Sequence, residues 1–268
     1  MSRKKLAVCG CSFSSVATPE QHRGTHFSEI MARTLDWDLL ALAYQGCSNG
    51  GIRLQMQGAI DAGADFVMVI PTFFDRIEIP TTGMKPVFNP TLWLSFDQKM
   101  KKNLGYDPEK GMDNINHTHS KQPSLICENL VSLVYNWKHA YRNRKQLDEQ
   151  VVEAVKQYVS HLYDPMWKLQ QDRWIIEQGM LTLVRRQRPC FMIPTLSLWP
   201  AGGQGPELLD QQYWTQDLDL CPFDYSLRPE YSVAADNWSK DPGYHTTYEA
   251  QEIMAEKYLE LMQTKGII

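Results

Sequence analysis

The sequence predicts an α/β fold built on a parallel sheet with helices on both faces. Apolar runs at 4–9, 38–44 and 64–72 alternate with amphipathic segments at 26–36 and 48–63. The third run, ADFVMVIPT, is nearly all apolar, as a strand covered on both faces requires. The resulting β-α-β-α-β rhythm is the one that parallel crossovers produce.

Each element has a local reason. Residues 4–9, KKLAVC, form a short buried strand behind a basic start. HFSEIMARTLD (26–36) sets Phe27, Ile30, Met31 and Leu35 near helical spacing. DLLALAY (38–44) is the second strand. SNGGIRLQMQGAIDAG (48–63) reads as a helix capped by Ser48 or Asn49 and stopped by Gly63.

The rhythm breaks after residue 72. Residues 73–125 carry Pro, Gly and Asn with scattered aromatics, among them Phe88, Trp93 and Phe96. They read as an irregular insertion that could cover a site. Residues 124–188 read as two or three helices, with Pro165 marking a break. PCFMIPTLS (189–197) is a fourth buried strand. A Pro/Gly/Asp-rich stretch with Trp199, Trp214, Tyr225 and Trp238 runs to 245, and an amphipathic helix spans 246–266. The expectation is one domain over 1–268, with an irregular and helical insertion at about 73–188.

Composition narrows the function classes. The 268 residues are 43% hydrophobic and 22% charged, ordinary for a soluble globular protein. A formal net charge of -4 gives no general attraction to nucleic acid or anionic lipid. No apolar run approaches the roughly 20 residues of a membrane span. The start, MSRKKLAVCGCSFS, has too short an apolar part for a secretory signal. Cys9, Cys11, Cys47, Cys127, Cys190 and Cys221 show no zinc-ribbon spacing. A core of this size needs no disulfides, so buried thiols and a cytosolic setting are expected. His117 and His119 beside Asp113 lack a third ligand at convincing spacing. No metal or cofactor is expected.

In open α/β sheets, ligands bind at the carboxyl ends of the strands. Gly10-Cys11-Ser12-Phe13-Ser14 follows the first strand, Gly46-Cys47-Ser48-Asn49 the second, and Thr72-Phe73-Phe74-Asp75-Arg76 the third. Asp241-Pro242-Gly243-Tyr244-His245 precedes the last helix. A serine hydroxyl is a poor nucleophile until a base takes its proton. Histidine is the usual base, and a carboxylate usually holds its second nitrogen.

In block order, these residues resemble the SGNH (GDSL-like) hydrolases, most of all the divergent branch of phage and bacterial genomes. The resemblance implies a flavodoxin-like three-layer α/β/α sandwich. GCSFS matches the nucleophile block, with Cys11 in place of its Asp, so Ser12 would attack. QGCSNGGI matches the second block, so Gly46 would offer its N–H to an oxyanion. DPGYHTTYEAQ matches the last block, so His245 would be the base and Asp241 its carboxylate partner. Two features depart from the pattern. The third block, IPTFFDRIE, lacks the family's Asn, and three residues separate Asp241 from His245 where the family usually has two. Asp236 is the alternative acid.

Further oxyanion donors are the Ser12 N–H, the Asn49 amide and the Thr72 hydroxyl. Asn49 ranks above Thr72, because a helix N-terminus gathers donors. Arg76 could contact an acidic substrate group, and Cys11 could act as a thiol. The expected function is serine esterase or deacylase chemistry on a small acyl ester, a glycan ester among the candidates. The departures from the pattern favour an alternative, an inactive relative with a carbohydrate-binding or structural role in a viral particle. Its helical insertion would then serve homo-oligomerisation. A nucleotide or phosphate binder is a third reading, but GCSFSS lacks the glycines and lysine such loops use.

Overall fold

The computed structural model describes residues 3–16, 23–44, 47–74, 76–80, 125–129, 149–199, 205–215, 217, 220–232 and 245–268. The main sheet has four parallel strands in the order β2-β1-β3-β6: β2 Asp38–Ala41, β1 Lys5–Cys9, β3 Phe66–Val69 and β6 Cys190–Met192. The expected α/β class is what the chain has, and the sheet with its flanking helices is consistent with a flavodoxin-like sandwich.

Alternation along the strands builds two cores. Ala7, Cys9, Val67, Val69 and Met192 point to one face, where they meet Ile52 and Met56 of α2 (Asn49–Asp61). Ile176, Met180 and Leu183 of α4 (Pro165–Arg185) complete that layer. Leu6, Val8, Phe66, Met68 and Phe191 point the other way. There they meet Phe27 and Met31 of α1 (Phe27–Leu35), Tyr225 of α5 (Pro222–Leu227) and Met254 and Tyr258 of α6 (Tyr248–Thr264). The strand residues on both faces are buried, which is why the strands read as continuous apolar runs.

The caps explain the helix starts. Ser48 caps α2, its hydroxyl accepting the Gly51 N–H at 3.2 Å. Gly63 follows α2 at φ 67, a conformation glycine adopts at no steric cost. Thr247 caps α6. Pro165 opens α4 behind the Asp164 cap, the helix position where proline's missing N–H costs nothing. It separates α4 from α3 (Glu149–His161).

The insertion departs from expectation. Arg76–Pro80 (β4) and Leu125–Asn129 (β5) pair antiparallel, from Arg76↔Asn129 to Pro80↔Leu125. The first segment was expected to be irregular and the second helical. A five-residue apolar run cannot by itself separate strand from helix, and the pairing partner lies far away in sequence. Phe88, Trp93, Phe96, Asp113, His117, His119 and Trp238 lie outside the described residues. No helix among the described residues is long and apolar enough to cross a membrane.

Gly179 sets how closely α2 and α4 approach. A Cβ there would overlap Met56 Sδ and meet Arg53 Cδ at 2.8 Å. Met56 is fully buried, so it has little room to yield. Gly179→Ala is expected to cost about 1–2 kcal/mol by overpacking, despite alanine's better helix propensity of about 1 kcal/mol. A urea unfolding midpoint at or above wild type would contradict this.

Candidate active site

The chain brings Ser12 and His245 together across 233 positions: Ser12 Oγ and His245 Nε2 lie 3.2 Å apart. Both side chains are partly buried. Ser12 sits in a tight turn directly beyond β1, closed by the Ser14 N–H donating to the Cys11 carbonyl at 2.9 Å. Ser15 Oγ donates to the Ser12 carbonyl at 3.2 Å. Gly10 is required at the entry to this turn, because a Cβ there would come within 2.6 Å of Ser14 Oγ and 2.7 Å of Ser14 Cβ. Among the described residues, no hydrogen bond takes up the Ser12 backbone N–H.

His245 is held from three sides. Its ring lies against Phe13 with centroids 4.3 Å apart. The next residue, Thr246, bridges to Ser232, and Thr247 donates to the Tyr231 carbonyl at 2.9 Å. Buried Gln251 ties this turn to the start of α1, donating to Thr246 Oγ1 at 2.7 Å and accepting the Phe27 N–H at 2.8 Å. The backbone of His245 has φ 84, a left-handed conformation that costs a non-glycine residue about 1–3 kcal/mol and concentrates at functional sites.

Burial pushes the His245 imidazole down to about 4, and the Arg76 guanidinium pushes in the same direction. At neutral pH the ring is therefore uncharged and can accept the Ser12 proton. Arg76 itself donates to the Cys47 carbonyl at 2.8 Å and lies over the Phe73 ring at 5.8 Å. A chemical step that needs neutral His245 loses rate only as pH falls through that low value. Removing the Arg76 charge makes the imidazolium easier to form. In Arg76→Gln, the acid limb of the labelling or turnover rate is therefore expected to move to higher pH, and an unmoved limb would refute the coupling.

The second block meets the third through a clamp. Asn49 Oδ1 accepts the Thr72 N–H at 2.9 Å, and its Nδ2 donates to the Thr72 carbonyl at 3.2 Å and to Asp172 Oδ2 at 2.9 Å. Both amide hydrogens are thus committed, and in this geometry Asn49 joins two strand ends and has no hydrogen left for an oxyanion. Thr72 Oγ1 is buried and has no hydrogen-bond partner among the described residues. Gly46, Asp75, Asp236 and Asp241 lie outside the described residues. Cys11 is buried.

Two supporting residues were not anticipated. Gln55 Oε1 accepts the Gly10 N–H at 2.7 Å, while its Nε2 donates to the Gly10 carbonyl at 3.1 Å and lies 3.2 Å from Cys47 Sγ. It locks the nucleophile turn to the second block. His26 caps α1 while fully buried, and its pKa falls to about 3 through burial, weakly opposed by the Phe13 backbone. The only sequence signal for His26 was Glu29 three positions on, the spacing of a capping box. Gln55 gave none. No family model matches the chain, and no curated protein matches it.

Proposed function

We propose that the chain is a serine esterase or deacylase of the SGNH type, acting on a small acyl ester such as an acetylated glycan. The observation that carries this reading is the 3.2 Å approach of His245 Nε2 to Ser12 Oγ at the carboxyl end of β1. Ser12 Oγ attacks the ester carbonyl carbon, and its proton passes to His245 Nε2. The carbonyl π electrons move onto oxygen, and the Ser12 N–H serves as a donor to the oxyanion. The oxyanion then collapses, the bond to the alcohol oxygen breaks, and the imidazolium returns its proton to the leaving alcohol. Water repeats the sequence on the acyl-serine and releases the acid. The buried thiols Cys9, Cys11, Cys47, Cys190 and Cys221 support a cytosolic setting for this enzyme, of a cell or of a phage-infected host.

A fluorophosphonate probe with intact-mass readout tests the reading. One adduct on wild type, absent from Ser12→Ala, is expected. Folded wild type that takes no adduct would overturn it and leave the scaffold a binding or structural role.

A further inference from the structure

Two neighbouring strands end alike. β3 and β6 pair in parallel up to Val69↔Met192, with a last hydrogen bond from the Ile193 N–H to the Val69 carbonyl at 2.9 Å. Each then runs into Ile-Pro-Thr, at 70–72 and at 193–195. Proline has no N–H, so it cannot extend the ladder as a donor. Thr72 and Thr195 therefore stand at equivalent positions, each three residues beyond the last paired residue.

Both hydroxyls are unspent. Thr72 is 2% and Thr195 4% exposed, and among the described residues neither Oγ1 has a hydrogen-bond partner. A buried unpartnered hydroxyl costs about 1–3 kcal/mol, so two in register need an explanation. Both residues line one recess with Cys11, Phe13, Phe73 and Phe223. The recess is small, with room at its base for about one water-sized group. It lies beside the reacting pair: Cys11 and Phe13 flank Ser12, and Phe13 also stacks on His245.

We propose that Thr72 and Thr195 form a two-hydroxyl acyl recess, which selects a short acyl group bearing a neutral oxygen, such as a 2-hydroxyacyl group, over a plain alkyl acyl group. The assignment of the recess to the acyl side rests on Ser12 being the nucleophile. The lining dictates the ligand class. Among the described residues no charged side chain lines the recess, so an ionised group would enter at a large desolvation cost. An alkyl group would leave both hydroxyls unpaired. A single neutral oxygen can accept from one threonine and donate to or accept from the other.

Ethyl hydroxyacetate and ethyl propionate are near-isosteric and differ by an oxygen in place of a methyl. Binding of each is measured by ligand-detected NMR on Ser12→Ala, which leaves the ester intact. Hydroxyacetate is expected to bind about fivefold tighter, the worth of one net hydrogen bond. Adding Thr72→Val and Thr195→Val should abolish that preference while leaving the thermal midpoint unchanged or raised, because valine removes the unpartnered hydroxyls. Equal binding of the two esters, including no binding of either, would overturn the proposal and leave the hydroxyls to a resident water. So would a preference that survives both valines. Probe labelling of wild type is a separate readout. Labelling without an ester preference sinks the recess alone; a preference without labelling sinks the esterase reading and the acyl assignment with it, and leaves the two threonines a binding recess for a neutral oxygen.

Discussion

His245→Ala is expected to lower kcat/KM for a small acyl ester by about 10³-fold while leaving the fold intact. General base catalysis contributes about 10²–10⁴-fold where the base is within hydrogen-bond reach of the proton it takes. At 3.2 Å from Ser12 Oγ, His245 meets that geometric condition. Its pKa decides where in the range the effect falls. A ring held near 4 by burial and Arg76 is in its accepting form throughout the neutral range, but it is a weaker base than a histidine near 7. Full occupancy of the active form and a reduced driving force act in opposite directions, which argues for the middle of the range. The substitution removes the ring from Phe13 but leaves the contacts made by Thr246, Thr247 and Gln251. The thermal midpoint should therefore change little. Activity within tenfold of wild type on folded protein would remove His245 from the chemistry.

The sheet was legible because its strands are covered on both faces. A strand such as β3, Phe66–Val69, has no polar face to confuse with a helix. The turn around Ser12 was legible because small residues crowd a strand end, and the contacts a Gly10 side chain would make show why they must. The pairing of Ser12 with His245 needed the block order of a known family, since nothing local joins positions so far apart. Asn49 was read as a donor at a helix start, but its partners, Thr72 and Asp172, come from β3's end and from α4. Gln55 and Asp172 had no local signal at all. A polar residue on an amphipathic helix reads as solvated until a second helix covers it. In Lys168 and Asp172, four positions apart, the sequence offers only what resembles an ordinary exposed helix pair.

That pair carries the second large effect. Lys168 Nζ lies 2.5 Å from Asp172 Oδ1, with the Asp172 side chain 0% exposed and that of Lys168 10%. Asp172 Oδ2 also accepts from Asn49, so this carboxylate both pairs with a buried ammonium and anchors the clamp on Thr72. Asp172→Ala should destabilise the protein by about 3–5 kcal/mol, the magnitude of breaking a buried ion pair by removing one partner. Combining Asp172→Asn with Lys168→Met removes both charges and keeps an amide oxygen for Asn49. The double variant is therefore expected to be more stable than Asp172→Ala by about 1–3 kcal/mol, because replacing a whole buried pair is far less costly than breaking it. Urea unfolding of the three proteins checks the order. If the double variant were no more stable than Asp172→Ala, neither the broken ion pair nor the hydrogen bond to Asn49 would account for the contribution of Asp172.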